Sequence, residues 1–308
     1  MTHQVLAYYH LVAVNDPHEE VRIHKAFCSQ FDLTGRLYIS STGINGQMSG
    51  TIEAANSYME WMKNREQYTG IWFKIHQHHE HVFPRMTIKY KPKLVAIDRD
   101  INFAQKAPHL PPKEWKEIYE SGKAVVLDVR NDYEWDIGRF KGAEKPQCET
   151  FRDFEKLADD LAQKIDKENT PVLMYCTGGI RCELFSPMLV EKGFKQVYQL
   201  GGGVIQWGLE EGTEHFEGKL FVFDDRLQIP LGDGAEVVGK CHHCETEAEE
   251  YFNCANMDCN DLFISCRTCI EKKVGCCCDV CATAKRLRPF HSNAPHKPFR
   301  KRHLSQST

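Results

Sequence analysis

The chain has 308 residues, 42% of them hydrophobic and 27% charged, with a net charge of −4. That length is enough for two or three domains with their own cores, and the composition is that of an ordinary soluble protein. No run approaches the about 20 apolar residues that cross a bilayer, and the start, Met1-Thr2-His3-Gln4, lacks the basic and apolar stretches of a secretory signal, which makes the cytoplasm the expected location.

Residues 1–97 read as an α+β domain of the ferredoxin-like kind, with two helices among four or five strands. Val5–Leu11 and Arg36–Ser40 are β-rich runs, Glu19–Phe31 has helical spacing through Val21, Phe27 and Phe31, and Ala54–Met62 is amphipathic. Gly43-Ile44-Asn45-Gly46 supplies turn residues, after which Gln47–Gly50 continues extended. Trp72–Ile75 and Met86–Tyr90 alternate as strands. His76, His78, His79 and His81 fall between them and read as a polar loop rather than a metal site.

Residues 98–224 alternate strand-like runs (Val125–Val129, Val172–Tyr175, Val197–Leu200) with helical ones (Pro112–Glu120, Phe151–Ile165, Glu183–Lys192). That pattern predicts a parallel sheet with helices on both faces, and active sites in such sheets lie beyond the carboxyl ends of the strands. Cys176 stands there. The apolar run before it delivers the sulfur. Thr177, Gly178, Gly179 and Ile180 turn backbone N–H groups inward, and Arg181 and the start of the next helix stabilise negative charge. The expectation is an unusually acidic, nucleophilic thiol at Cys176. Cys182, six residues on, is a candidate resolving thiol or a packed helix cysteine. Asp128 and Arg130 end the first strand and read as a structural pair rather than as catalysts.

The six-residue loop Cys176–Arg181 resembles the active-site loop of the rhodanese family, as do Val125–Arg130 followed by Gly138–Ala143, and Gly193–Gly203 leading to Trp207. Three matches in the right order over about 110 residues are specific where one alone would be weak. The resemblance implies a persulfide intermediate on Cys176, its charge held by Arg181 and the loop amides.

Ten of the fourteen cysteines crowd into residues 241–281, while Cys28, Cys148, Cys176 and Cys182 are scattered. In a chain of this size that placement points to metal or redox chemistry rather than disulfides. Within a module spanning 225–284, Cys241/Cys244, Cys266/Cys269 and Cys278/Cys281 are C-x-x-C pairs, and Cys254/Cys259 is a wider fourth pair. Each pair can set two thiolates on one zinc ion, so two structural zinc sites are expected; Cys276, Cys277, His242 and His243 leave the ligand choice open. The region has too few large apolar side chains to hold together without such a staple. Residues 285–308 read as a flexible basic tail. The seven cations after Cys281 give it +7, which leaves −11 on the rest, a distribution consistent with a polyanionic partner such as RNA.

The order of these parts resembles the bacterial tRNA uridine hydroxylase family over about residues 1–285. The most specific stretches are Gly43–Gly46, Cys176–Glu183 and Asn253-Cys254-Ala255-Asn256, with Thr42 standing where the family often has Glu. The resemblance implies hydroxylation of carbon 5 of the wobble uridine in the tRNA anticodon loop, with molecular oxygen as co-substrate; the acidic thiolate loop makes Cys176 the candidate reactive group. No flavin or nicotinamide fingerprint is visible. The alternative on the same loop is a persulfide sulfurtransferase without hydroxylase activity.

Overall fold

The computed structural model describes residues 1–95, 105–145 and 154–291; Cys148 and the tail cations from Lys297 on lie outside them. Chain contacts divide the protein into two compact units, Met1–Asp132 with Gly142–Glu214, and Tyr133–Lys141 with His215 onward.

The first unit contains two sheets. β1 (His3–His10), α1 (Pro17–Cys28), β2 (Leu33–Ser40), β3 (Gly43–Thr51), α2 (Ile52–Lys63), β4 (Trp72–His78) and β5 (Met86–Tyr90) follow in chain order. They build a sheet of order β4-β1-β3-β2-β5, antiparallel except for the β2–β5 edge pair. This is the expected ferredoxin-like arrangement with one added strand. Asp16 caps α1, accepting from the amides of His18 and Glu19 at 3.0 and 2.9 Å, and Thr51 caps α2. The helices cover one sheet face, where Leu6, Tyr8, Leu37, Ile39, Ile44 and Met48 meet Tyr58, Met59 and Met62.

Two expectations fail here. Gly43-Ile44-Asn45-Gly46 is not the turn. It is the start of β3, paired with β1 and β2, and Ser41-Thr42 make the turn. Its glycines serve close approach instead: a Cβ on Gly43, at φ +138°, would lie 2.2 Å from the His10 carbonyl oxygen, and one on Gly46 would strike the Tyr8 ring. His76 and His78 belong to β4 rather than to a loop, because the strand continues in register with β1 as far as His3↔His78.

The second sheet of this unit has order β6-β10-β9-β7, all parallel, from β6 (His109–Leu110), β7 (Val125–Asp128), β9 (Val172–Tyr175) and β10 (Val197–Leu200). Strand alternation sends Leu127, Val172 and Met174 toward α5 (Phe154–Lys164) and α6 (Ile180–Glu191). Tyr175 faces the other way, where Trp115 of α3 (Pro112–Glu120) packs edge-on against it and against Trp207 of α7 (Gly203–Glu210). Helices therefore cover both faces.

The second unit pairs β8 (Gly138–Phe140) with β11 (Phe216–Gly218), β12 (Leu220–Phe221) with β13 (Gln228–Ile229), and β14 (Tyr251–Asn253) with β15 (Leu262–Ile264). Short helices α4 (Asp132–Ile137), which enters this unit at Tyr133, α8 (Arg267–Lys272) and α9 (Asp279–Ala282) complete it. The start of the basic tail is pinned to it. The Arg288 amide donates to the Ala255 carbonyl at 2.8 Å, the Met257 amide to Arg286 at 2.9 Å, and Phe290 packs beside Gly275. Among the described residues no helix is long and apolar enough to cross a membrane.

Candidate active site and cysteine centres

β9 ends at Tyr175, and the backbone turns at Cys176 into a loop that closes on α6 through Gly179, at φ +104°. The carbonyl oxygens of Cys176 and Thr177 point away from the sulfur and accept the amides of Val204 and Ile205 at 3.0 and 3.1 Å. Gly203 makes this approach possible, since a Cβ there would sit 2.5 Å from the Cys176 carbonyl oxygen. With the carbonyls committed outward, the loop amides turn in, and the Gly179 N–H donates to Cys176 Sγ at 3.1 Å.

Cys176 is 1% exposed. Burial opposes its ionisation. The Cys182 thiol, the Arg181 guanidinium and the amides of Cys182 and Arg181 outweigh that penalty and bring the Cys176 thiol down to about 5. Cys182 moves the opposite way. Burial, donation to Cys176 and the negative charge on that sulfur hold its thiol well above the usual range. The pair is a thiolate and its hydrogen-bond donor. Arg181 is braced by donating to Thr177 Oγ1 at 3.1 Å.

Asp128 and Arg130 are both fully buried and joined at 2.6 Å. The carboxylate also accepts the Arg130 amide at 3.0 Å and the Tyr175 hydroxyl at 2.7 Å. They lock the end of β7 to the end of β9, one residue before Cys176.

Sequence reasoning missed a set of side chains that surround the loop. Lys74 of β4 is 3% exposed, and its Nζ donates to the Gly178 carbonyl at 2.9 Å. Tyr9 of β1 donates to Glu183 Oε1 at 3.1 Å, an oxygen that His109 Nε2 also reaches at 2.9 Å, and Lys106 lies 3.5 Å from Oε2. Burial pushes the Lys74 ammonium down to about 8, against the pull of Cys176 and Glu183. The signal was present in part. Trp72, Lys74 and His76 alternate with Phe73 and Ile75, and only the second set enters the helix-covered core.

The cysteine-rich unit holds two groups of four thiols whose sulfurs all lie within 4.8 Å of one another: Cys241, Cys244, Cys266 and Cys269, and Cys254, Cys259, Cys277 and Cys281. The pairs interleave, first with third and second with fourth. β14 and β15 run antiparallel, so Cys254 and Cys266, each just beyond its strand, leave at opposite ends. The structure replaces Cys278 with Cys277. Cys278 is exposed and caps α9, whereas Cys277 Sγ lies 3.8 Å from Cys259 and 3.7 Å from Cys281. The C-x-x-C spacing pointed to Cys278, but the one-turn Cys277–Cys281 spacing is the one that closes. His242, His243 and Cys276 stand outside both groups. A tetrahedral zinc with Zn–S bonds of about 2.3 Å would set its sulfurs about 3.8 Å apart, as found here and for Cys244–Cys266 at 3.8 Å. The donor sets therefore fit the ion.

Residues 3–94 match the family described as the UPF0176 acylphosphatase-like domain, residues 111–210 the rhodanese-like domain, and residues 217–282 the rhodanese C-terminal family. Among solved structures, the rhodanese-like domain of the Anabaena Alr3790 protein is 25% identical and covers 36% of this chain and 79% of its own, with a TM-score of 0.30. Two relatives align over nearly the whole chain. The tRNA uridine(34) hydroxylase of Protochlamydia amoebophila is 56% identical, covering 97% of this chain and 94% of that protein; the one from Chlamydia pneumoniae is 49% identical, covering 98% and 94%. Likeness of that degree, carried through all three matched regions, makes this chain a member of the tRNA uridine(34) hydroxylase family.

Proposed function

We propose that the protein hydroxylates carbon 5 of the wobble uridine in the tRNA anticodon loop, with molecular oxygen as co-substrate and Cys176 as the reactive group. The observation that carries this reading is the buried thiolate. A cysteine held at about 5, with its own thiol donor and a loop of inward amides, is built to be charged at neutral pH. Arg181 and the loop residues Thr177, Gly178, Gly179 and Ile180 stabilise that charge, and Asp128 and Arg130 hold the strand ends that present it.

A wobble uridine is single-stranded and is turned out of its stack to reach such a sulfur. Zinc in the two thiol groups would staple the second unit, where the apolar core is small. In this reading residues 1–97 and 98–224 form the domains around the reactive loop, 225–284 the zinc module and 285–308 a basic extension toward tRNA phosphates, all in the cytoplasm.

The deciding experiment is nucleoside mass spectrometry on tRNA from cells that lack other uridine hydroxylation routes and carry either this protein or its Cys176→Ala variant. A wobble uridine heavier by one oxygen atom is expected with the intact protein alone. The modification persisting in Cys176→Ala would remove the thiolate from the chemistry. Its absence with folded wild-type protein would remove the hydroxylase reading.

A further inference from the structure

Lys74 is hard to explain as part of a fold. Lysine is almost never fully buried unless paired, yet this one is 3% exposed and, among the described residues, no carboxylate forms an ion pair with it. It lies on the helix-free face of the N-terminal sheet, where register sets Trp72 opposite Tyr9 and Lys74 opposite Ala7. Its Nζ sits 4.9 Å from the Tyr9 ring centre and 5.0 Å from that of Trp72. The charges that favour its ammonium are those of Cys176 and Glu183. A buried cation persists where it has a counter-charge, and the bond from Nζ to the Gly178 carbonyl at 2.9 Å sets this ammonium against the Cys176 loop. An ammonium has three donors; Gly178 takes one, which leaves one for the thiolate and one for a guest.

Trp72 supplies a second, independent observation. It is a large aromatic left 48% exposed, and it stands at the rim of the reactive loop. A Cβ on Gly202 would lie 2.7 Å from its ring edge, and the next residue, Gly203, is the one pressed against the Cys176 carbonyl. An exposed indole beside a buried cation at the mouth of a thiolate loop has the chemistry of a nucleobase seat: a π-face for stacking, and N–H donors for a ring carbonyl oxygen.

We propose that Trp72 and Lys74 of the N-terminal domain form the base-binding half of the Cys176 site, Trp72 stacking on the target pyrimidine and Lys74 pairing with the thiolate while donating to a carbonyl oxygen of the ring. This rests on the tRNA reading above and deepens it. The N-terminal domain is then not a separate adaptor, because it completes the site. The groups about Lys74 are the Tyr9 ring from β1, the Trp72 ring of its own strand, the Gly178 carbonyl and the charges of Cys176 and Glu183, with His109 and Lys106 acting on Glu183.

The test uses the full-length protein and two anticodon stem-loop RNAs, one with uridine at the wobble position and one abasic there. Wild type should bind the uridine RNA about 5- to 150-fold more tightly, the range expected for one stacked base. Trp72→Ala should abolish that ratio without moving the thiolate titration of Cys176, and Trp72→Phe should keep most of it. Lys74→Met should raise the Cys176 titration midpoint and reduce the uridine ratio. Replacing a buried ammonium by an apolar chain of similar length should leave the fold at least as stable as before.

A wild-type ratio in Trp72→Ala, or a wild-type titration in Lys74→Met, would overturn the proposal. The nucleoside assay above separates the two levels. Hydroxylation by wild type together with an unchanged Trp72→Ala ratio sinks only the base seat, whereas no hydroxylation by wild type removes the base seat along with the tRNA reading. The titration of Lys74→Met uses no RNA and reads the Lys74–Cys176 pairing in either case.

Discussion

Cys182 sets the acidity of Cys176, and its removal has a calculable effect. The Cys182 thiol is the first of the groups that favour the Cys176 thiolate, ahead of the Arg181 guanidinium and the loop amides. A hydrogen bond to a charged acceptor contributes about 1.5–3 kcal/mol. At about 1.36 kcal/mol per pKa unit, its loss raises the Cys176 midpoint by about one to two units. The direction follows from which form is stabilised: the donor favours the thiolate, so deleting it favours the thiol and moves the titration to higher pH. From about 5 in the intact protein, Cys182→Ala should titrate between about 6 and 7. At pH 6 the thiolate fraction then falls from about nine-tenths to between about one-half and one-tenth. Cys182→Ser keeps a donor of similar size and should stay near the parent value. The assay is the ultraviolet absorbance of the thiolate against pH, read as the difference between each variant and the same variant with Cys176→Ala, so that the zinc-bound thiolates cancel. A Cys182→Ala curve that overlays the wild-type one would refute this account and leave Arg181 and the amides as sufficient.

The remaining predictions concern different parts of the molecule. Cys277→Ser should lower bound zinc from two ions per chain to one, by metal analysis of the purified protein, while Cys278→Ser should keep both; the opposite result would restore the C-x-x-C pairing. Asp128→Asn should destabilise the rhodanese-like domain by about 3–5 kcal/mol in denaturant unfolding, because it removes the Asp128 carboxylate from the buried Arg130 guanidinium. A truncation meant to test the basic tail should cut after His291, since residues 286–290 are bound into the cysteine-rich unit. Removal of Lys297, Arg300, Lys301 and Arg302 should weaken tRNA binding at low salt and shallow its log–log salt slope by up to about 0.7–0.9 for each phosphate no longer neutralised. Unchanged affinity and slope would take the tail out of the interface.

The reactive loop was legible in the sequence because its logic is local. An apolar strand, a cysteine, two glycines and an arginine within ten residues leave the backbone few ways to turn, and each way points amides at the sulfur. The helix and strand order of the first two domains was legible for a similar reason, since periodicity reports which side of an element is dry. Gly43–Gly46 shows where that reading stops. Glycine signals freedom of the backbone, but whether the freedom serves a turn or a crowded strand depends on the Tyr8 ring and the His10 carbonyl, which arrive from another strand.

By itself the sequence determined the rhodanese-like fold, the cysteine loop that follows its strand Val172–Tyr175, and the crowding of cysteines into the last module. Only tertiary structure decided which pairs share a site and that Cys277 rather than Cys278 closes the second one, because four pairs can combine in several ways and the antiparallel β14–β15 hairpin selects one. Only tertiary structure brought Tyr9, Lys74 and Trp72 to the loop. Along the chain they are the polar face of two strands, and a polar face is normally solvent's. Here a second domain lies against it, and the Lys74 ammonium is bound to the Gly178 carbonyl, more than a hundred residues on in the chain.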